Sequence, residues 1–327
     1  MKRKISVSKI FSYLMYGIII WFVVAFLIYP NLNILKMIFF RNGSFKLDSL
    51  KRLFSSARAV RSLKNSFILA TTLLFTVNII GIFLVLVVDY FDIKGAKILK
   101  LGYMTTLIYG GVVLASGYKF VYGANGIMTK ILVSIFPNFN AGWFEGYGAV
   151  AFVMTFAITS NHVIFLSNAI RKIDYSTIEA AKNMGASQFY ILRKVVLPVL
   201  KPTIYAITVL LYITGLGATS APLIVGGKKF QTIGPMILTF SQTVSSRDLA
   251  AVLALILGIA TLILLSFMIY FERKGNFMSV SKTKSVIVKQ KINNPLINII
   301  VHLFAYLLFF IYIIPVIFVI IFSFTNS

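Results

Sequence analysis

The most informative part of this sequence is residues 174–198, a polar stretch between two apolar runs, which reads DYSTIEAAKNMGASQFYILRKVVLP. Ser176 and Glu179 have the spacing of a capping box, in which each side chain bonds the other residue's backbone amide and a helix begins. Gly185 suits the left-handed conformation that ends a helix, and Ser187 is placed to cap a second helix. The stretch therefore predicts a compact helical hairpin.

The rest of the chain has the composition of a membrane protein. Hydrophobic residues make up 59% of it and charged residues 12%, and its mean hydropathy is +0.91, whereas soluble domains carry about 25% charged residues. A helix needs about 20 apolar residues to cross a bilayer. Seven charge-free runs approach or exceed this length, and they predict an all-α bundle of about seven spans: 10–35, 65–88, 101–118, 146–170, 202–227, 249–271 and 292–327.

Charge and hydropathy divide the chain into four parts. Residues 1–62 hold the first span and a basic external loop, and residues 63–271 form a core that includes the hairpin within a cytoplasmic loop, 171–201. A basic cytoplasmic linker follows at 272–291, and 292–327 is a further span. Two prolines, Pro198 and Pro202, predict an end of the hairpin's second helix, 188–196, or a kink into the fifth span.

The distribution of basic residues predicts that the N-terminus is cytoplasmic. With this orientation the inner segments hold four, three, six and six Lys and Arg residues, 19 of the 32, and the outer segments hold 13. Eight of the 13 lie in one loop, 36–64, which we interpret as an amphipathic segment on the membrane surface. The net charge of +24 therefore indicates a lipid environment, and no nucleic-acid partner is expected.

The hairpin residues form a pattern known from one family. Glu-Ala-Ala, three residues, Gly, nine residues, a branched aliphatic residue, any residue and Leu-Pro resemble the signature loop of permease subunits of binding-protein-dependent ABC importers. The matching positions are Glu179, Ala180, Ala181, Gly185, Val195, Leu197 and Pro198, with Val195 where isoleucine is usual. The resemblance implies a type I importer transmembrane domain in a bacterial plasma (inner) membrane. It also implies that the loop docks on a dimer of ABC ATPase subunits, which bind the ATP.

Three further segments resemble one branch of that family, which moves ferric iron, polyamines, thiamine or aminoalkylphosphonates. They lie at 91–95, 123–126 and 215–227. The resemblance implies an extracytoplasmic solute-binding protein and a second permease subunit or half as partners, with ferric iron as the expected solute. Gly215 and Gly217 serve either close helix packing or the pathway. The last span resembles the first span of a second half, as in fused ferric-iron permeases, or it is an addition to a half-size subunit.

No catalytic constellation or phosphate-binding loop is visible in the sequence. Cysteine is absent, and the two histidines are too few for a His-rich metal site. We therefore expect no catalytic residue, resident metal or cofactor in this chain, and we interpret His162 as a group that bonds one helix to another. A stand-alone secondary transporter or channel remains the alternative class. A membrane-embedded lipid enzyme is a third class, and the sequence offers no residues for it.

Overall fold

The computed structural model describes residues 7–41, 44–45, 47–274 and 288–324. Its regular structure is helical apart from β1 (Phe40–Arg41) and β2 (Ser44–Phe45), which confirms the all-α prediction. The α-helices are α1 (Val7–Val23), α2 (Tyr29–Phe39), α3 (Asp48–Ser55), α4 (Ala57–Val85), α5 (Ala96–Met104), α6 (Gly111–Tyr122), α7 (Ile127–Ile135), α8 (Tyr147–Ile158), α9 (Ser160–Ile170), α10 (Tyr175–Asn183), α11 (Gln188–Ile191), α12 (Leu197–Leu216), α13 (Ser220–Val225), α14 (Ile233–Ser241), α15 (Arg247–Lys274) and α16 (Pro295–Ser323). Shorter π and 3₁₀ segments join several of them.

Six helical stretches in the described residues are long and apolar enough to cross a membrane, and one bent pair brings the number to seven. The number therefore agrees with the prediction of about seven spans. The six stretches are Phe11–Phe39, Ala57–Tyr90, Tyr147–Ile170, Gln188–Leu216, Val244–Tyr270 and Pro295–Ser323, and the bent pair is Ala96–Leu107 with Gly111–Ile135.

The third predicted span, 101–118, is wrong as a single straight helix. The chain bends by 114° between the two members of the bent pair. Gly110 has an extended backbone, with φ −61° and ψ 150°, and its carbonyl accepts from the Leu114 amide as α6 begins. Glycine is a poor helix former, so the pair Gly110 and Gly111 favours a break between the two helices at this point.

The fifth predicted span, 202–227, also has different bounds. Its helix begins at Gln188 and ends at Leu216, and α13 follows after a short break. Neither Pro198 nor Pro202 ends the helix. A π segment, Leu192–Val196, precedes them, and its wider turn lets the Leu197 amide donate to the Leu192 carbonyl. In a π turn each amide bonds the carbonyl five residues earlier and not four. The hydrogen-bond pattern of the helix therefore changes next to two prolines, which have no amide to donate.

The described chain divides into two compact units. Met1–Val60 with Met236–Ile259 forms the first unit, and Arg61–Pro235 with Ala260–Ser327 forms the second. In the first unit the basic loop contains a helix, α3, which buries Leu53, exposes Phe54 and directs Arg52 to Asp248 at 2.6 Å. This ion pair links α3 to the start of α15.

The second unit has a core in which α16 packs on α5 and α6. Two glycines make this approach close, because a Cβ on Gly102 would overlap the Phe309 ring and one on Gly117 would lie 2.8 Å from the Pro315 carbonyl oxygen. The Tyr103 hydroxyl donates to the Ala305 carbonyl at 2.7 Å. The seventh span is therefore an integral part of this unit. Most of the predicted linker 272–291, namely residues 275–287, lies outside the described residues.

Candidate functional site

The hairpin predicted at 174–198 is present, and its first helix is α10. The residue that caps α10 differs from the prediction. Asp174 has extended backbone angles, and its carboxylate accepts from the Ser176 amide at 3.0 Å. The helix therefore begins at Tyr175, whereas the predicted cap was Ser176. Asp is as good an N-cap as Ser. Since Asp174 takes the capping position, Ser176 and Glu179 do not form the predicted capping box.

The turn of the hairpin is built around Gly185, as predicted. Its φ is +79°, in the left-handed region. Its amide donates to the Lys182 carbonyl at 2.8 Å, and the next amide, of Ala186, donates to the Ala181 carbonyl at 3.0 Å. These two bonds close the end of α10 in the manner of a Schellman motif. The Ser187 hydroxyl then accepts from the Tyr190 amide at 3.3 Å, which confirms it as the cap of α11.

Two buried isoleucines, Ile178 and Ile191, hold the hairpin on the second unit, at 0% and 1% exposure. Between them the hairpin presents an accessible surface that includes Glu179 and Ala180. Two large apolar side chains stand out on this surface, since Met184 is 81% and Phe189 71% exposed. We call Glu179, Ala180, Met184, Gly185 and Phe189 the hairpin tip.

The remaining signature residues do not belong to the tip. Ala181 is 8% exposed and packs inward. Val195, Leu197 and Pro198 are half-buried within the helical stretch that leads from the hairpin into the fifth span. They fix the geometry by which the hairpin joins this span. The structure therefore divides the signature into an accessible part and a buttressing part.

The glycines Gly215 and Gly217 lie at the far end of the same span. Gly215 is 17 residues beyond Pro198, which corresponds to about 25 Å along a helix. A Cβ on Gly215 would lie 2.7 Å from the Cα of Ala70 in α4, whereas one on Gly217 would have only the Ile213 carbonyl oxygen nearby, at 3.6 Å. This geometry favours close helix packing as the role of Gly215.

Replacement of these two glycines tests the packing role. We expect Gly215→Ala to destabilise the protein by about 2 kcal/mol, because the added methyl group forces the α4 and α12 backbones apart. Gly217→Ala is the matched control and is expected to have little effect. Thermal unfolding of the purified protein in detergent measures both. Equal unfolding temperatures for the two variants would contradict the packing role.

A polar cluster joins three helices inside the second unit. His162 is fully buried, and its Nε2 lies 3.1 Å from the Asn78 amide oxygen. Asn78 also donates to the Thr208 hydroxyl at 3.0 Å. The imidazole lies where a Cβ of Gly81 would be, 2.4 Å away, so only glycine fits there. His162 therefore bonds one helix to another, as interpreted from the sequence.

Several residues of the hairpin were not singled out by the sequence. Met184 and Phe189 form most of the apolar surface of the tip, and Asp174 caps its first helix. A methionine and a phenylalanine inside a polar loop were the available signal for the first two. No group of three or more His, Cys, Asp or Glu side chains suited to a metal ion occurs among residues 7–41, 44–45, 47–274 and 288–324.

Comparisons with known proteins agree on one family. The family model described as "Binding-protein-dependent transport system inner membrane component" matches residues 6–273. A probable ABC transporter permease protein, y4fN of Sinorhizobium fredii, is 41% identical over 328 residues, which covers 100% of this chain and 58% of that protein. A putative ferric transport system permease protein, FbpB 1 of Haemophilus influenzae, is 23% identical over 219 residues, which covers 67% of this chain and 34% of that protein.

A solved structure shows the same fold. The chain resembles a component of a bacterial ABC transporter involved in importing the acidic polysaccharide alginate, with a TM-score of 0.69, 18% identity, and coverage of 82% of this chain and 96% of that one. The spermidine/putrescine transport system permease protein PotB of Haemophilus influenzae is 24% identical over 83% of this chain and 93% of its own length. By contrast, the chain spans only 58% and 34% of y4fN and FbpB 1.

Proposed function

Because this chain belongs to the family of inner membrane components of binding-protein-dependent transport systems, we propose that it is a permease subunit of an ATP-driven importer. It forms part of the pathway for a small solute, and it contributes no catalytic residue of its own. Separate ABC ATPase subunits, acting as a dimer, bind and hydrolyse the ATP. The observation that carries this proposal is the exposed hairpin tip, which turns at the positive φ of Gly185 and is anchored by the buried Ile178 and Ile191.

The hairpin tip has the surface expected of a docking site. Met184 and Phe189 expose most of their area on a loop whose other accessible side chains are mostly polar or charged. Exposed apolar groups rimmed by polar residues are typical of protein–protein contact sites. The small side chain of Ala180 and the bare backbone of Gly185 permit a partner's surface to approach closely. We propose that the ATPase subunit covers this tip, with Glu179 as a polar docking residue.

The orientation follows from the same assignment. ATPase subunits work in the cytoplasm, so the hairpin must face the cytoplasm, and the N-terminus then does so as well. The distribution of Lys and Arg supports this orientation, apart from the basic loop 36–64. We propose that a second permease subunit, or a second homologous half, completes the channel beside this chain.

For the solute we propose ferric iron delivered by an extracytoplasmic binding protein. Support comes from relatives named as ferric transport system permeases, which are 23% and 25% identical to this chain. Relatives named for 2-aminoethylphosphonate and for spermidine and putrescine transport are similarly distant, at 24% identity. Aminoalkylphosphonate and polyamine are therefore alternative solutes for the same machinery, and thiamine is a further alternative from the resemblance alone.

Removal of the apolar side chains at the tip tests the docking proposal. For the double variant Met184→Ser with Phe189→Ser, we expect the amount of ATPase subunit that co-purifies with the permease to fall about tenfold. The reason is that apolar side chains that become buried at an interface contribute most of the binding energy. Val244→Ser is the matched control, since Val244 is 77% exposed but lies in the first unit. Undiminished co-purification of the ATPase with the double variant would contradict docking at the tip.

A further inference from the structure

A short segment, residues 288–294, lies across the end of the second span, and we call it the strap. Its backbone pairs with the turn that follows this span: the Gln290 amide donates to the Tyr90 carbonyl and the Asp92 amide donates to the Gln290 carbonyl, both at 2.9 Å. Gln290 is only 3% exposed. Backbone hydrogen bonds therefore fix the strap to the end of the second span, although the strap is not part of a helix.

The side chain of Gln188 bonds the hairpin to the strap. Its amide nitrogen donates to the Lys291 carbonyl, and its amide oxygen accepts from the Asn293 amide at 3.2 Å. Both ends of the amide group are thus used on the strap's backbone. Gln188 is the first residue of α11, immediately after the cap Ser187. A displacement of the hairpin must either pull the strap with it or break both bonds.

At its other end the strap runs directly into the seventh span. The Asn294 side chain accepts from the Leu296 and Ile297 amides, at 3.0 and 3.2 Å, and so begins α16. The Tyr306 hydroxyl in α16 donates to the Lys94 carbonyl at 2.8 Å, close to the turn on which the strap is seated. Hairpin, second-span turn and seventh span therefore meet at the strap.

We infer that Gln188 is a positioning residue for energy coupling, which makes the hairpin, the strap and α16 move as one body when the ATPase acts. The inference rests on the proposed function, since it assumes that the ATPase drives the hairpin. Gln188 lies outside the Glu-Ala-Ala and Leu-Pro signature positions. Gln188 couples displacement of the hairpin to displacement of the seventh span. This coupling is in addition to the covalent connection between the hairpin and the fifth span.

Distance measurements between spin labels test this inference in the intact importer. The chain contains no cysteine, so labels can be attached at Arg193→Cys on the hairpin side and Leu296→Cys at the start of α16, both exposed positions. The purified complex is measured without nucleotide and after trapping with ATP and vanadate. We expect the same narrow distance distribution in both states with Gln188 present.

Substitutions at position 188 supply the discriminating comparison. With Gln188→Ala we expect the distance to differ between the two states and its distribution to broaden, whereas Gln188→Glu, which keeps the acceptor oxygen but loses the donor, should fall between. Gln242→Ala removes an exposed glutamine of the first unit and is the matched control. A distance that changes between states with Gln188 intact, or one that stays fixed in Gln188→Ala, would overturn the inference.

The same samples separate this inference from the proposed function. If the ATPase subunit fails to co-purify with the unsubstituted permease, the proposed function fails and the coupling role fails with it. If the ATPase co-purifies and the labels respond to nucleotide independently of position 188, only the role of Gln188 fails. A structural role alone would lower the unfolding temperature of Gln188→Ala without changing how the distance depends on nucleotide.

Discussion

Gly185→Val is expected to abolish co-purification of the ATPase subunit while the permease still reaches the membrane. Gly185 has φ +79°, and a Cβ added there would meet no atom within 4 Å. The effect of the substitution is therefore one of backbone conformation and not of collision. A β-branched residue is strongly disfavoured at positive φ, and left-handed geometry costs about 1–2 kcal/mol even for an ordinary residue. The turn should open and the tip should lose its shape.

Gly185→Asn is the matched control for this prediction. Asparagine adopts the left-handed conformation far more readily than valine, and the open space around position 185 accommodates its side chain. We expect near-normal ATPase association for Gly185→Asn. Co-purification of the ATPase and membrane content of the permease are measured on the same cells. If Gly185→Val kept its ATPase, the turn would have no part in docking.

The sequence was a good guide to the hairpin because its determinants are local. A positive-φ turn at Gly185 and a cap at Ser187 follow from the chemistry of single residues, and both are present. The start of the first helix was harder to predict, because Asp174 and Ser176 are both good caps two positions apart. Only one of the two residues can have the extended backbone of an N-cap. In the structure this residue is Asp174, and the helix that it begins places Ile178 in the core.

Spans were predictable in number but not in shape. Hydropathy records how apolar a run is, and it does not record where a helix breaks within that run. The break at Gly110 and the π segment before Pro198 both lie inside or beside apolar runs. The strap could not have been predicted, because its bonds join Gln188 to Asn293, more than 100 residues apart in the sequence, and no local pattern encodes such a contact.

The solute is the least constrained part of the assignment, and the structure explains why. The groups inside the second unit, such as His162 and Asn78, are bonded to one another across helices. Relatives named for ferric iron, phosphonate and polyamine transport are about equally similar to this chain, at 23%, 24% and 24% identity. The proposed delivery by a separate binding protein leaves recognition of the solute mainly to that protein. Identification of the partner binding protein would therefore inform on the solute more than any residue of this chain does.

Lys100→Met is expected to destabilise the permease by about 3 kcal/mol, because it leaves the Asp89 carboxylate half of a largely buried ion pair without its partner. The Lys100 ammonium donates to both Asp89 oxygens at 2.8 Å and to the Ser167 hydroxyl at 3.1 Å. The Asp89 and Lys100 side chains are only 14% and 23% exposed. The Ser167 hydroxyl also donates to Asp89, but one hydroxyl cannot replace a full positive charge.

Two controls isolate the ion pair from the loss of a lysine. Lys97 lies one turn earlier on α5 and is exposed, so Lys97→Met should leave the unfolding temperature nearly unchanged. The double variant Asp89→Asn with Lys100→Met should recover more than half of the loss, since no unpaired charge remains buried. Thermal unfolding in detergent measures all three proteins. Equal unfolding temperatures for Lys100→Met and Lys97→Met would show that the ion pair contributes nothing.

The position of this ion pair gives the stability measurement a functional meaning. Asp89 lies in the π segment that ends the second span, next to the turn that seats the strap, and Lys100 and Ser167 belong to α5 and α9. The ion pair therefore holds the end of the second span, α5 and α9 together beside the strap to which the hairpin is bonded. The hairpin can move the spans only if the helices next to it stay together when it is displaced. We expect Lys100→Met, at a temperature where it is still folded, to hydrolyse ATP with its partner subunit but to import less solute per ATP than Lys97→Met.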